Sequence, residues 1–188
     1  IESMPFLEAV RQMHREENVE DLIFVHVTLV PIDTQGEQKT KPTQHSVKEL
    51  RELGLTPNVI VARCREPLLR STISKISLFC DVPEEAVISA HDASDIYELP
   101  LLMDKEGLTQ YLMKRLCLKS ASYDPSWNEM VERMHNLKGQ VKICIVGKYT
   151  HFEDSYLSIS ASIKHASIEC GCDYVINWLN AELLEQGS

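Results

Sequence analysis

Two periods alternate along the chain, one of about 3.6 residues and one in which the apolar character is nearly continuous over five to nine residues. Phe6, Ala9, Val10 and Met13 recur at helical spacing, with Pro5 where a first turn tolerates proline and Ser3 placed to cap, so residues 5–17 are predicted as an amphipathic helix. Glu8 and Arg11 fall on one face of it. The run LIFVHVTLV at 22–30 is β-branched and apolar almost throughout, which predicts an interior parallel strand. Similar short runs predict strands at 59–62, 86–89, 141–146 and 174–178. Helices are predicted between them. One spans 43–53, and a second covers 68–80 with Leu69, Ile73, Ile76, Phe79 and Cys80, before Pro83 breaks it. A third lies within 101–118, with Leu108, Tyr111, Leu112 and Leu116 in one stripe. A fourth begins at Trp127 and ends at Gly139, and a fifth covers about 154–169.

Strands that alternate with helices predict an α/β fold, a parallel sheet with helices on both faces. The stretch LKSASYDPS at 118–126 is rich in small and polar residues and reads as a linker. The expected division is therefore residues 1–117 as one domain, 118–139 as linker and linker helix, and 140–188 as the start of a second α/β domain.

Composition narrows the function without naming it. At 188 residues, 44% hydrophobic and 25% charged, the chain has ordinary globular proportions. A net charge of −9 argues against nucleic acid as the main partner, so any polyphosphate site has to be a local pocket. No apolar run is long enough to span a bilayer. The cysteines at 64, 80, 117, 144, 170 and 172 form no C-x-x-C pair and sit mostly in apolar runs, which reads as buried thiols in a reducing cytoplasm. His26, alone in its strand, reads as a core histidine with a satisfied ring. No G-x-G occurs, Lys142 stands where a Walker motif ending at Gly147-Lys148 needs glycine, and no nucleophile elbow is present. The opening Ile1-Glu2-Ser3, without an initiator methionine, reads as the start of a fragment.

The most distinctive chemistry lies in GEQKTKPTQHSVKELRE, residues 36–52. Lys39 and Lys41 are two apart, so on an extended segment both ammonium groups point the same way, and Pro42 holds its predecessor extended. Thr43 or Ser46 then serves as cap, and Ser46 with Glu49 has capping-box spacing. A helix N-terminus presents free N–H groups and partial positive charge, so two lysines ahead of it suit a phosphate-rich ligand. The bland alternative is a solvated basic patch ahead of a surface helix.

KTKPTQHSVKELR, preceded by IESMPF and followed by KISLFC and VGKY, resembles the signature series of the CTP synthase family over nearly the whole chain. The resemblance implies a P-loop-like synthetase fold, with this chain covering the C-terminal part of the synthetase domain and the opening of the glutamine amidotransferase domain. It implies ATP-dependent amination of UTP to CTP with ammonia from glutamine. By residue, it implies UTP or CTP contacts from Ile1, Glu2, Lys39, Thr40, Lys41, Pro42, Thr43, Gln44, Lys75 and Phe79, with Phe79 near the base. It implies an ATP adenine side lined by His91, Asp92 and Ala93. Magnesium would be held by residues outside this stretch, and the complete protein would be a cytoplasmic homotetramer binding nucleotide at its interfaces. Two further readings stay open, a nucleotide-sensing module and a subunit-assembly piece, each without catalysis of its own.

Overall fold

In a computed structural model, residues 3–18, 20–119 and 124–182 are described. They form two compact units, 1–122 and 123–188.

The first unit opens with α1 (Met4–Glu16), on which Arg11 and Glu8 pair at 2.7 Å as their spacing predicts. Ser3 precedes it in helical conformation and its hydroxyl makes no capping bond. The sheet then consists of β1 (Val25–Leu29), β2 (Val59–Cys64) and β3 (Val87–His91), all parallel and in that spatial order. The connections are α2 (Lys41–Glu52) and α3 (Arg70–Cys80), followed after β3 by α4 (Leu99–Lys105) and α5 (Leu108–Arg115). Two successive right-handed crossovers in one direction put α2 and α3 on the same face. Val59, Ile60, Val61 and Ala62 are all at most 5% exposed, so both faces of β2 are covered, and this is where the core sits. Val30, Val47, Ile76, Cys80, Val87, Ile88 and Ala90 complete it, with Ile73, Met103, Leu108, Tyr111 and Leu112 packed around.

Several expectations shift. The first strand is shorter than 22–30 and lies at the edge of the three-stranded sheet, with Val25, Val27 and Leu29 exposed on one face. Its apolar run reflects two apolar faces, of which only the one holding His26 and Thr28 meets α2. The helix expected over 68–80 starts after Leu69 and ends at Asp81, whose left-handed φ of 55° turns the chain before Pro83 is reached. The single helix expected within 101–118 is two, divided at Gly107, whose φ of 92° suits glycine. Of the six cysteines only Cys64 and Cys80 are buried; Cys117, Cys144 and Cys170 are exposed and Cys172 is intermediate. An apolar neighbourhood in sequence does not bury a thiol when the strand or helix has an open face.

The second unit holds α6 (Ser126–His135), β4 (Gln140–Gly147), α7 (Leu157–Cys170) and β5 (Asp173–Asn180), with the two strands parallel. Here α6 stops at Asn136, ahead of Gly139, and Arg133 reaches Glu169 of α7 at 3.1 Å. At Gly147 a side chain would collide with the Tyr156 hydroxyl, which donates to the Lys148 carbonyl. Close approach of Tyr156 therefore accounts for this glycine. The linker expected over 118–126 falls partly on residues 120–123, outside the described residues. No helix among the described residues is long and apolar enough to cross a membrane.

Candidate functional site

Parallel strands bring their carboxyl ends to one edge, and ligands of open α/β sheets bind there. Leu29, Arg63 and Ala90 are successive partners across the three strands. At two strand spacings, the end of β1 is about 10 Å from the end of β3. The loops leaving β1 and β3, which carry the lysines and His91-Asp92-Ala93, therefore leave the sheet at the same edge.

The loop after β1 is a compact turn. Ile32 and Gln38 form an antiparallel bridge, and Asp33 Oδ1 accepts from the amides of Gln35 and Glu37, both at 2.9 Å. Gln38 follows, only 8% exposed. Its Nε2 donates to the Pro67 carbonyl at 2.9 Å, and its Oε1 accepts from the Leu69 amide at 3.0 Å. Lys39 donates its backbone N–H to Pro31 at 2.8 Å, and its ammonium lies 2.9 Å from Asp33 and 2.5 Å from Glu37. These contacts, Glu37 foremost, raise the Lys39 pKa, and the Lys39 ammonium holds the Asp33 carboxyl below its usual range.

The helix begins two residues earlier than expected. Thr40 is the capping residue, in helical conformation, and Lys41 and Pro42 form the first turn. Pro42 costs the helix nothing there because a first-turn N–H has no intrahelical acceptor. Three expectations fail with that shift. Lys41 is helical, so the alternation that would aim both lysines alike does not hold. Ser46 is mid-helix and lies 3.0 Å from His26 Nε2, so it caps nothing. Thr43 is fully buried, backbone included, with Oγ1 3.3 Å from Thr28 Oγ1 and 3.4 Å from the Leu29 carbonyl, so it neither caps the helix nor faces solvent. Thr40 is 4% exposed and accepts from Gln44 Nε2 at 2.9 Å, an arrangement that fixes the Gln44 side chain along the first turn. Lys41 and Pro42 are exposed, and no ion pair engages Lys41 among the described residues. His26 behaves as expected of a core histidine, half-buried and hydrogen-bonded, with burial pulling its pKa down.

Lys75 and Phe79 do not join this cluster within the chain. They lie on α3 about 7.5 Å and 13.5 Å beyond its first residue, at 1.5 Å per residue. Arg51, in the last turn of α2, donates to the carbonyls of Phe79 at 3.5 Å and Cys80 at 2.5 Å. Phe79 thus stands at the opposite end of α2 from Lys41, with its ring exposed. Ile1 and Glu2 lie outside the described residues.

At the other end of this edge His91 ends β3, its Nδ1 3.5 Å from Ser89 Oγ. Asp92 accepts from Arg63 Nη1 at 3.1 Å, and the same nitrogen reaches the Ala90 carbonyl at 3.4 Å. Ser89 Oγ also accepts from the Leu68 amide at 3.0 Å, tying the loop after β2 to β3. That loop carries Arg65 and ends at Arg70, both exposed, so cationic groups border the edge from β2 as well. Sequence reasoning passed over Gln38, Arg63, Asp33 and Glu37. Arg63 had a signal, being the one charge in the apolar run VIVARC; Gln38 had none, because only tertiary contact distinguishes it from a loop glutamine. Among the described residues no group of three or more His, Cys, Asp and Glu side chains could hold a metal ion.

The fold and edge define an α/β domain with a polar, partly cationic edge at the carboxyl ends of parallel strands. Comparison with known proteins makes the class specific. The family model described as CTP synthase N-terminus matches residues 1–118, and the chain belongs to the CTP synthase family. It is 67% identical to the CTP synthase of Methanococcoides burtonii over 182 residues, covering 97% of this chain and 34% of that protein. It is 62% identical to the CTP synthase of Methanosarcina acetivorans over 186 residues, covering 99% and 35%, and 60% identical to that of Archaeoglobus fulgidus over 185 residues, covering 98% and 35%. The chain spans about a third of the length of the curated relatives it matches.

Proposed function

We infer that this chain is the nucleotide-holding part of a CTP synthase, an enzyme that uses ATP to aminate UTP to CTP with ammonia drawn from glutamine. The observation that carries the reading is the placement of Lys39 and Lys41 around the first turn of α2 at the ligand-binding edge of the sheet, in a chain of this family. Their ammonium groups and the positive end of that helix suit the triphosphate of UTP or of product CTP, with Gln44 beside them. Such residues hold and orient rather than react. His91, Asp92 and Ala93 at the other end of this edge are the proposed adenine side of ATP. Lys75 and Phe79, at a distance along α3, would serve a nucleotide shared between two copies, in keeping with a homotetramer. The cytoplasm is the proposed location. Magnesium would be held by residues outside this stretch.

The family model over residues 1–118 is that of the CTP synthase N-terminus, which replaces the expectation of the C-terminal part of the synthetase domain. Residues 1–117 are proposed as part of the synthetase domain, 118–139 as linker, and 140–188 as the start of a second α/β domain. Two observations support a boundary there: the family match ends at residue 118, and the two compact units divide at 122. The test is CTP formation by the full-length protein from UTP, ATP and glutamine, and separately from ammonia. Formation with either nitrogen source is expected; failure with both, in a folded protein, would remove the reading.

A further inference from the structure

We propose that Gln38 is a positioning residue for the nucleotide clamp, fixing the segment that carries Lys39, Thr40 and Lys41 to the entrance of α3. The inference rests on the proposed function above, in which Lys39 and Lys41 hold the triphosphate and so form the clamp. Its basis is a glutamine, 8% exposed as a residue, whose carboxamide uses both ends: Nε2 donates to the Pro67 carbonyl at 2.9 Å and Oε1 accepts from the Leu69 amide at 3.0 Å. Leu69 is the residue on which α3 begins, and its amide would otherwise be an unpaired donor at the helix start. A planar group offering one donor and one acceptor answers both, and among side chains of this length only glutamine, or a protonated glutamate, does so. The same loop is closed on its other side by the Lys39 amide on Pro31 and the Asp33 bonds to Gln35 and Glu37. Gln38 is therefore the link through which the clamp is referenced to the neighbouring loop and, through Leu68 and Ser89, to β3. Its neighbour Lys39 reaches the ligand; Gln38 itself faces inward.

The chemistry supplies its own diagnostic. Glutamate at this position has the same shape, but as a carboxylate it sets an acceptor against the Pro67 carbonyl in a buried place. Once protonated it can donate to Pro67 and still accept from Leu69. Burial and a facing acceptor both favour the neutral acid, so the rescue should fall within an accessible pH range. In the full-length protein, the ratio of the Gln38→Glu to the wild-type KM for UTP should be about tenfold at about pH 8 and should fall toward one by about pH 6. The KM for ATP should stay within about twofold of wild type. Gln38→Leu, which has no proton to gain, should show a raised UTP KM at both pH values. Lys41→Ala is run beside them as the clamp control. A UTP KM ratio near one for both Gln38 variants, with Lys41→Ala raised, would overturn the positioning role and spare the clamp. Parallel loss in kcat and both KM values, tracking a lowered melting temperature and indifferent to pH, would overturn it as mere loss of structure. An unchanged UTP KM in Lys41→Ala would remove the clamp and this inference together.

Discussion

Lys39 and Lys41 differ by two positions in sequence and by their partners in space, and that difference predicts unequal kinetic effects. Lys41 is exposed at the first turn of α2 and engages no carboxylate among the described residues. A charge-assisted contact from it to phosphate is worth about 1.5–3 kcal/mol. At about 1.4 kcal/mol per decade, Lys41→Ala should raise the UTP KM by roughly ten- to a hundredfold. Lys39 begins from a different state, paired with Glu37 and Asp33. Turning to a triphosphate gives up both exposed contacts, so the net loss on Lys39→Ala should be smaller, roughly three- to tenfold. The same reasoning says that Asp33→Asn, which frees Lys39 of one competitor, should lower the UTP KM. The assay is initial-rate CTP formation by the full-length protein at saturating ATP, beside a thermal melt of each variant. Product inhibition by CTP should weaken in the same order. Equal effects of the two alanine variants would refute the argument from pairing, and unchanged UTP dependence in both, with the fold intact, would return the lysines to a solvated patch.

Other outcomes follow from the packing. Ile76 is fully buried between α3 and the sheet, so Ile76→Ala should destabilise the first unit by about 2–5 kcal/mol in denaturant titration. Burial lowers the His26 pKa, so the unfolded chain takes up a proton at higher pH than the folded one. The stability this gives is present above the ordinary histidine value and is lost as pH falls through the lowered one, so wild type should lose more melting temperature than His26→Gln between about pH 7.5 and 5.5. Gly147→Ala forces a methyl against the Tyr156 hydroxyl and should cost about 1–3 kcal/mol, relieved in part by Tyr156→Leu; an unaffected melt would refute the packing argument.

The order of elements was legible because each carries its own pattern: the apolar runs LIFVHVTLV, VIVA and AVIS read as strands, and the stripe through Ile73, Ile76 and Cys80 reads as a helix. What sequence could not decide was which face of a strand finds a partner. Val25, Val27 and Leu29 are as apolar as Val59 and Val61, yet the first three are exposed and the last two buried, a distinction set by place in the sheet. The start of α2 misled because Pro42 was read as ending an extended segment, when proline is equally at home in a first turn. Of the candidate site, the clamp and the loop after β3 do meet one edge. The partners that modulate it did not show: Asp33 and Glu37 precede Lys39 by a turn whose closure depends on backbone bonds, and Gln38 is distinguished only by what it touches in the loop before α3.

The central claim, that the first turn of α2 holds the triphosphate of a pyrimidine nucleotide, is tested most directly by covalent labelling in place. A UTP acyl phosphate, whose terminal phosphate carries the acyl group, passes that group to a lysine amine lying beside it and leaves UTP. Applied to the full-length protein, it should acylate Lys41, and Lys39 more weakly, as located by peptide mass spectrometry, and excess CTP should protect both. Labelling confined to other lysines, or label on these two that CTP does not displace, would contradict the account.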